Sequence, residues 1–83
     1  MFKKTNINKI VIQIISKILK IKENKLSKKT SIKNTQQWDS LAHINIALAL
    51  EKKFKTKFRI DDLSEVTKIS DWVYMVEKKY EKK

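Results

Sequence analysis

Residues 38–54, Trp38-Asp39-Ser40-Leu41-Ala42-His43-Ile44-Asn45-Ile46-Ala47-Leu48-Ala49-Leu50-Glu51-Lys52-Lys53-Phe54, carry the reading on which the fold turns. Leu41, Ile44, Leu48 and Glu51 fall on one line at three- and four-residue steps, and Ile46, Leu50 and Phe54 fall on another. Such steps stack side chains along a helix, so the spacing predicts a helix over Leu41–Phe54 with a wide apolar face. Ala42, Ala47 and Ala49 lie between the larger residues and allow close helix contacts, which suits a central place in a bundle. Asp39 and Ser40 stand where the helix begins, and residues with short side-chain oxygens are the preferred caps for its unpaired N–H groups. Ser40 is thereby placed at a helix N-terminus, where open amides and the positive end of the dipole favour an anion. By itself an Asp-Ser pair in this position is commonly no more than a cap, and neither Ala42 nor His43 supplies the acid of a capping box.

Toward the N-terminus, Ile7, Ile10, Val11, Ile14, Ile15 and Ile18 form a helical stripe between Ile7 and Ile21. Isoleucine is restricted at χ1 and a mediocre helix former, so this first helix depends on packing against neighbours. Thr5 or Asn6 is expected to cap it, and Lys20 and Lys22 suit the negative end of its dipole. Between the two helices, Lys22–Gln37 loses the period and keeps only Leu26 and Ile32 as anchors. A connection this long usually carries function. The chain contains no glycine and no proline, so its turns must rely on Asn, Asp and Ser bonding to nearby backbone.

Beyond Phe54, the residues Phe58, Ile60, Leu63 and Val66 can pin a short third helix containing Ile60-Asp61-Asp62-Leu63. Thr67 is expected to cap a last helix with Asp71 in its first turn and Ile69, Trp72, Val73, Val76 and Tyr80 at helical spacing, and Glu81-Lys82-Lys83 is expected to fray. Period-two alternation and hairpin glycines are both missing. The expectation is an all-α four-helix bundle, residues 1–83 forming a single domain, with a short third helix and a long loop between helices one and two.

Composition limits the chemistry. Without cysteine there is no disulfide, thiol nucleophile or thiolate-bound metal, and a single histidine, His43, leaves little for other metal chemistry. No orienting partner for His43 is evident, so it is not read as a base activating Ser40, and no catalytic residue is assigned. His43 is read as a surface or packing residue. The formal charge of +11 suggests an anionic partner such as nucleic acid. Against this, Arg59 is the one arginine among 20 basic residues, and the lysines scatter through every segment, whereas phosphate and guanine recognition favours the arginine fork. Met1-Phe2-Lys3-Lys4 resembles the start of a secretory leader, but Lys9, Gln13 and Lys17 interrupt the apolar stretch after it, so no signal peptide is expected. Apolar runs such as Ile10-Val11-Ile12 fall far short of the ~20 residues that span a bilayer. A cytoplasmic monomer is expected.

Asp39-Ser40-Leu41, the helix ending in Leu50-Glu51-Lys52-Lys53-Phe54, then Phe58, the Asp61-Asp62 turn and Thr67 before the last helix resemble, in that order, the acyl carrier protein family. The resemblance covers nearly the whole chain and is specific from Trp38 onward. It implies a carrier and not an enzyme. Ser40 would receive 4′-phosphopantetheine from coenzyme A through a separate phosphopantetheinyl transferase, and Asp39 would help position the metal during attachment. The arm would then present an acyl or aminoacyl group, as a thioester, to loading and transferring enzymes. Leu41, Ile44, Ile46, Leu50, Val66, Ile69 and Val73 either line a cavity for an acyl chain or are ordinary core.

The sequence departs from that pattern in charge. Family members commonly carry acidic residues along helix two, where this chain has Asn45, Lys52, Lys53, Lys55 and Lys57. Like charges across an interface oppose docking, so partners with acidic or apolar surfaces are expected to meet Leu41, Asn45, Ile46, Lys52 and Lys53. That points to a specialised pathway such as sugar acylation or amino-acid activation. The glycine usual before the Asp-Ser pair is replaced by Gln37-Trp38, with Trp38 packing near the arm or against helix one. The rival expectation is a small basic helical nucleic-acid-binding protein, recognisable by tight, salt-dependent binding. A module that kept the fold and lost the arm is a second rival, against which the retained Asp39-Ser40 argues.

Overall fold

Four helices succeed one another in the computed structural model: α1 (Lys4–Leu19), α2 (Ser40–Phe54), α3 (Ile60–Glu65) and α4 (Ile69–Glu81). The structure describes the backbone of residues 4–81 and the side chains of residues 6–79. The expectations for Met1-Phe2-Lys3, for the Tyr80 side chain and for the Lys82-Lys83 end lie outside the described residues. Among those described there is no strand, and the sole sheet-like feature is an isolated bridge between Ser31 and Lys68.

In α1 every fourth residue, Ile7, Val11, Ile15 and Leu19, is buried, while Ile10, Ile14 and Ile18 pack at the margin of the same core. This is the stripe that the spacing predicts, and α1 lays it against both α2 and α4. Thr5 and Asn6 lie inside this helix, and neither is its cap. It ends where Lys20 turns left-handed at φ 61°, and Lys55 does the same at φ 54° after α2. Glycine normally takes these positions because it has no Cβ to clash. A chain without glycine must put another residue there.

On α2 the two apolar lines part company. Ala42, Ile46, Ala47, Leu50 and Phe54 are buried, whereas Leu41, Ile44 and Leu48 are 68%, 50% and 57% exposed. The expected wide buried face is therefore half as wide, since α1 and α4 pack against one side of α2 and leave the other to solvent. Leu41 and Ile44 accordingly drop out of the core set, which retains Ile46, Leu50, Val66, Ile69 and Val73. At the far end of the helix, Glu51 Oε2 accepts the Phe58 N–H at 2.7 Å and fixes the turn toward α3.

The long loop is ordered by its bonds to the start of α4. Ile32 N–H donates to Thr67 O at 2.8 Å, Ile69 N–H to Thr30 O at 2.9 Å and Ser70 N–H to Lys28 O at 3.2 Å. Local turns use the polar residues expected of a chain without glycine, with Ser27 N–H on Thr30 Oγ1 and Ser31 N–H on Asn34 Oδ1. Leu26 and Trp38 bury the two ends of the segment, and a short 3₁₀ turn spans Glu23–Lys25.

The cap of α4 differs from expectation. Asp71 Oδ2 accepts from Thr67 N, Thr67 Oγ1 and Lys68 N, so Thr67 donates and the carboxylate of the first turn does the capping. A charged carboxylate is a stronger acceptor than a hydroxyl and can take several donors at once. Asp62 does the same for α3 by accepting the Arg59 N–H at 3.0 Å, and it also pairs with Lys79 of α4 at 3.4 Å. Val66 is buried beneath α3 as expected, but Ile60 is 83% exposed and pins nothing.

Candidate functional site

Trp38 sets the position of the site. Its N–H closes a turn onto Thr35 O at 3.0 Å and its side chain is 2% exposed, so the chain is anchored in the core two residues before Ser40. Asp39 then adopts an extended conformation as the cap of α2, with Oδ1 accepting from Ala42 N at 2.8 Å and its carbonyl from His43 N at 2.9 Å. Ser40 is the first helical residue and is exposed.

The open groups are a consequence of helix geometry. The first amides of a helix have no acceptor within it, and Asp39 satisfies that of Ala42 alone. Among the described residues the Ser40 and Leu41 N–H groups have no acceptor and Ser40 Oγ has no partner, at the positive end of a helix of 15 residues. A phosphodiester on Ser40 Oγ fits this arrangement, which offers amide donors, a favourable dipole and room in solvent. The second carboxylate oxygen of Asp39, Oδ2, likewise has no partner among the described residues. Among the described residues no group of three or more His, Cys, Asp or Glu side chains could hold a metal by itself.

His43 is held by both ring nitrogens. An indole N–H can only donate, so the 3.1 Å contact from Trp38 Nε1 makes His43 Nδ1 the acceptor. Nε2 then carries the hydrogen and donates to Leu63 O of α3 at 2.8 Å. Trp72 lies 5.0 Å from the imidazole by ring centroids and Phe58 5.8 Å from Trp72. The expected packing role of His43 is thus what the structure contains. Trp38 packs against His43, so its side chain serves the base of the site and not its surface.

The residues expected to meet partners divide. Leu41, Asn45, Lys52 and Lys53 are exposed on α2. Ile46 has no exposed surface at all and is corrected from docking residue to core, because its position on the helix faces the packed side. Sequence reasoning leaves Ile44 and Leu48 out of the docking set, although they share the line of Leu41; only knowledge of which side α1 and α4 cover could have found them.

A family model described as "Phosphopantetheine attachment site" matches residues 9–76. The solution NMR structure of a holo acyl carrier protein from Geobacter metallireducens is similar at a TM-score of 0.80 and 27% sequence identity, over 90% of this chain and 86% of that one. No curated protein matches the sequence.

Proposed function

The chain belongs to the phosphopantetheine attachment-site family as a carrier of acyl-carrier-protein type and not an enzyme, and from that premise we propose that Ser40 holds the arm and that α2 delivers cargo to dedicated partners in a specialised pathway. The observation that supports this most is the exposed Ser40 hydroxyl beside two open amides at the start of α2. When attached, 4′-phosphopantetheine supplies a thiol that carries an acyl or aminoacyl group as a thioester and raises its effective concentration at each partner. Ser40 contributes the ester oxygen and is not activated by the chain itself, as both nitrogens of His43 are occupied elsewhere. Asp39, whose Oδ1 holds the cap, would help position the metal during attachment of the arm.

The docking face is the exposed line Leu41, Ile44 and Leu48 with Asn45 beside it and Lys52 and Lys53 at its end. Next to Leu48 lies a shallow depression of about 410 Å³ lined also by Glu51, Lys52, Lys55, Thr56 and Lys57. An apolar anchor line with a basic rim complements an apolar groove bordered by carboxylates and repels a basic one. The partners are then acyl- or aminoacyl-loading and transferring enzymes of that character, in sugar acylation or amino-acid activation, with the carrier a cytoplasmic monomer. No helix among the described residues is long and apolar enough to cross a membrane.

Incubation with a promiscuous phosphopantetheinyl transferase and coenzyme A tests the first part. Intact mass and peptide mapping are expected to place one arm on Ser40, and a folded sample that gains none overturns the proposal. Loaded carrier is then offered to standard fatty acid synthesis enzymes, where efficient turnover defeats the specialised pathway. Tight binding of the unloaded chain to DNA or RNA, falling steeply with salt, is the outcome that favours the nucleic-acid reading instead.

A further inference from the structure

Ser40 and His43 are three residues apart on α2, which places the imidazole one turn below the attachment point on the same side of the helix. There it joins three elements. Trp38 from the loop donates to its Nδ1, its Nε2–H reaches Leu63 O in α3, and the Trp72 ring of α4 lies against it. Phe58 extends the cluster from the segment before α3. Trp38 is 2% and Trp72 0% exposed, so the interior at the Ser40 end of the bundle is filled by aromatic rings and closed toward α3 by a hydrogen bond.

From this packing we infer that the seam between α2 and α3 is latched by His43 and that the cargo of this carrier is a short or polar acyl group that stays in solvent. The inference rests on the attachment of the arm to Ser40. An alkyl chain entering beside His43 must separate the imidazole from Leu63 O and from Trp72, and it offers no group to replace the lost hydrogen bond. A short chain has too few methylenes to offset those losses by burial, and a longer one would also have to displace the buried Trp38 and Trp72 rings from a filled interior, so both remain outside. A long one outside would expose apolar surface to water, which disfavours it as cargo. The bundle thus acts as a closed platform and not as a sheath.

The test uses the full chain loaded by a promiscuous phosphopantetheinyl transferase from coenzyme A, acetyl-coenzyme A or octanoyl-coenzyme A. The chain has two tryptophans, so it has two indole N–H resonances, both belonging to the cluster. They are expected to stay in place between the holo and octanoyl forms, and hydroxylamine is expected to release acetyl and octanoyl at rates within about twofold of one another. Movement of either indole signal, with octanoyl release slowed ~tenfold, shows the chain inside and overturns the inference. His43→Ala is expected to admit the octanoyl chain and slow its release. Should that variant fail to fold, the indole comparison in the unaltered protein decides alone. A chain that gains no arm by mass removes the reading on which this one rests, and that is seen before any cargo is compared.

Discussion

Two helices of this bundle begin with an aspartate, a serine and a set of amides, and they treat those amides in opposite ways. At the start of α4, Thr67 N and Lys68 N are taken by Asp71, Ile69 N by Thr30 O and Ser70 N by Lys28 O. At the start of α2, Asp39 takes Ala42 N and leaves Ser40 and Leu41 open, with Ser40 in solvent. Both ends carry the same dipole. Only one can accept a new anion, because at the other the chain has already supplied every acceptor. A helix N-terminus is thus a structural joint or a binding site according to what the preceding loop brings to it.

The sharpest test of that contrast replaces each serine in turn. Ser40→Ala is expected to abolish attachment of the arm altogether, and Ser70→Ala to leave it unchanged, both read by intact mass after transferase treatment. Ser40→Ala should also leave stability within ~0.5 kcal/mol, as the hydroxyl has no partner among the described residues and lies on the surface. Labelling that moves to Ser70 would erase the distinction between the two ends.

Asp71→Ala comes next in size. It leaves Thr67 N, Lys68 N and Thr67 Oγ1 without their shared acceptor and loosens the joint between loop and α4. These groups are exposed and water can replace the acceptor, so the loss is that of a helix cap, about 1.5 kcal/mol, which for a domain of this length lowers Tm by roughly 10 °C. Asp39→Ala removes one cap bond and is expected to cost about 1 kcal/mol by denaturant titration. Asp39→Asn keeps an acceptor oxygen for Ala42 N and should differ from the parent by a few tenths of a kcal/mol. If it still slows attachment of the arm, the charge of Asp39 serves the transfer and the cap does not explain its presence.

How much of this could be read from residues alone differs between the site and its surroundings. The helix order, the N-terminal place of Ser40 and the core line Ile46, Leu50, Phe54 derive from spacing and capping chemistry, which are local. Ile44 and Ile46 show where that stops. They are the same residue two positions apart, one half exposed and the other fully buried, and period alone cannot say which side a neighbour will cover. The His43 contacts are non-local for the same reason, since Leu63 and Trp72 arrive from other helices. Thr67 is the cap that residue preference favours, but Asp71 four residues later offers a charged acceptor for two amides and displaces it.

α3 supplies the smallest test, because its start is closed in miniature by one carboxylate. The Arg59 backbone N–H bonded to Asp62 holds that carboxyl below its ordinary value of 3.8, opposed by desolvation and helped by the hydrogen bond and charge of Lys79. A carboxyl whose folded value is depressed stabilises the fold above its unfolded value, and that contribution fades as pH falls from about 3.8 through the lower folded value. The Asp62 side chain is 28% exposed and its partner Lys79 27%, so solvent and salt screen the pair and the effect stays below that of either other cap. Asp62→Asn keeps an acceptor for Arg59 N while removing the titration, and it is expected to flatten the acid limb of a stability-against-pH curve below 3.8 with little change at neutral pH. An unaltered acid limb would mean that the α3 joint does not depend on the charge of its cap, leaving Asp71 as the better measure of what closing a helix start contributes here.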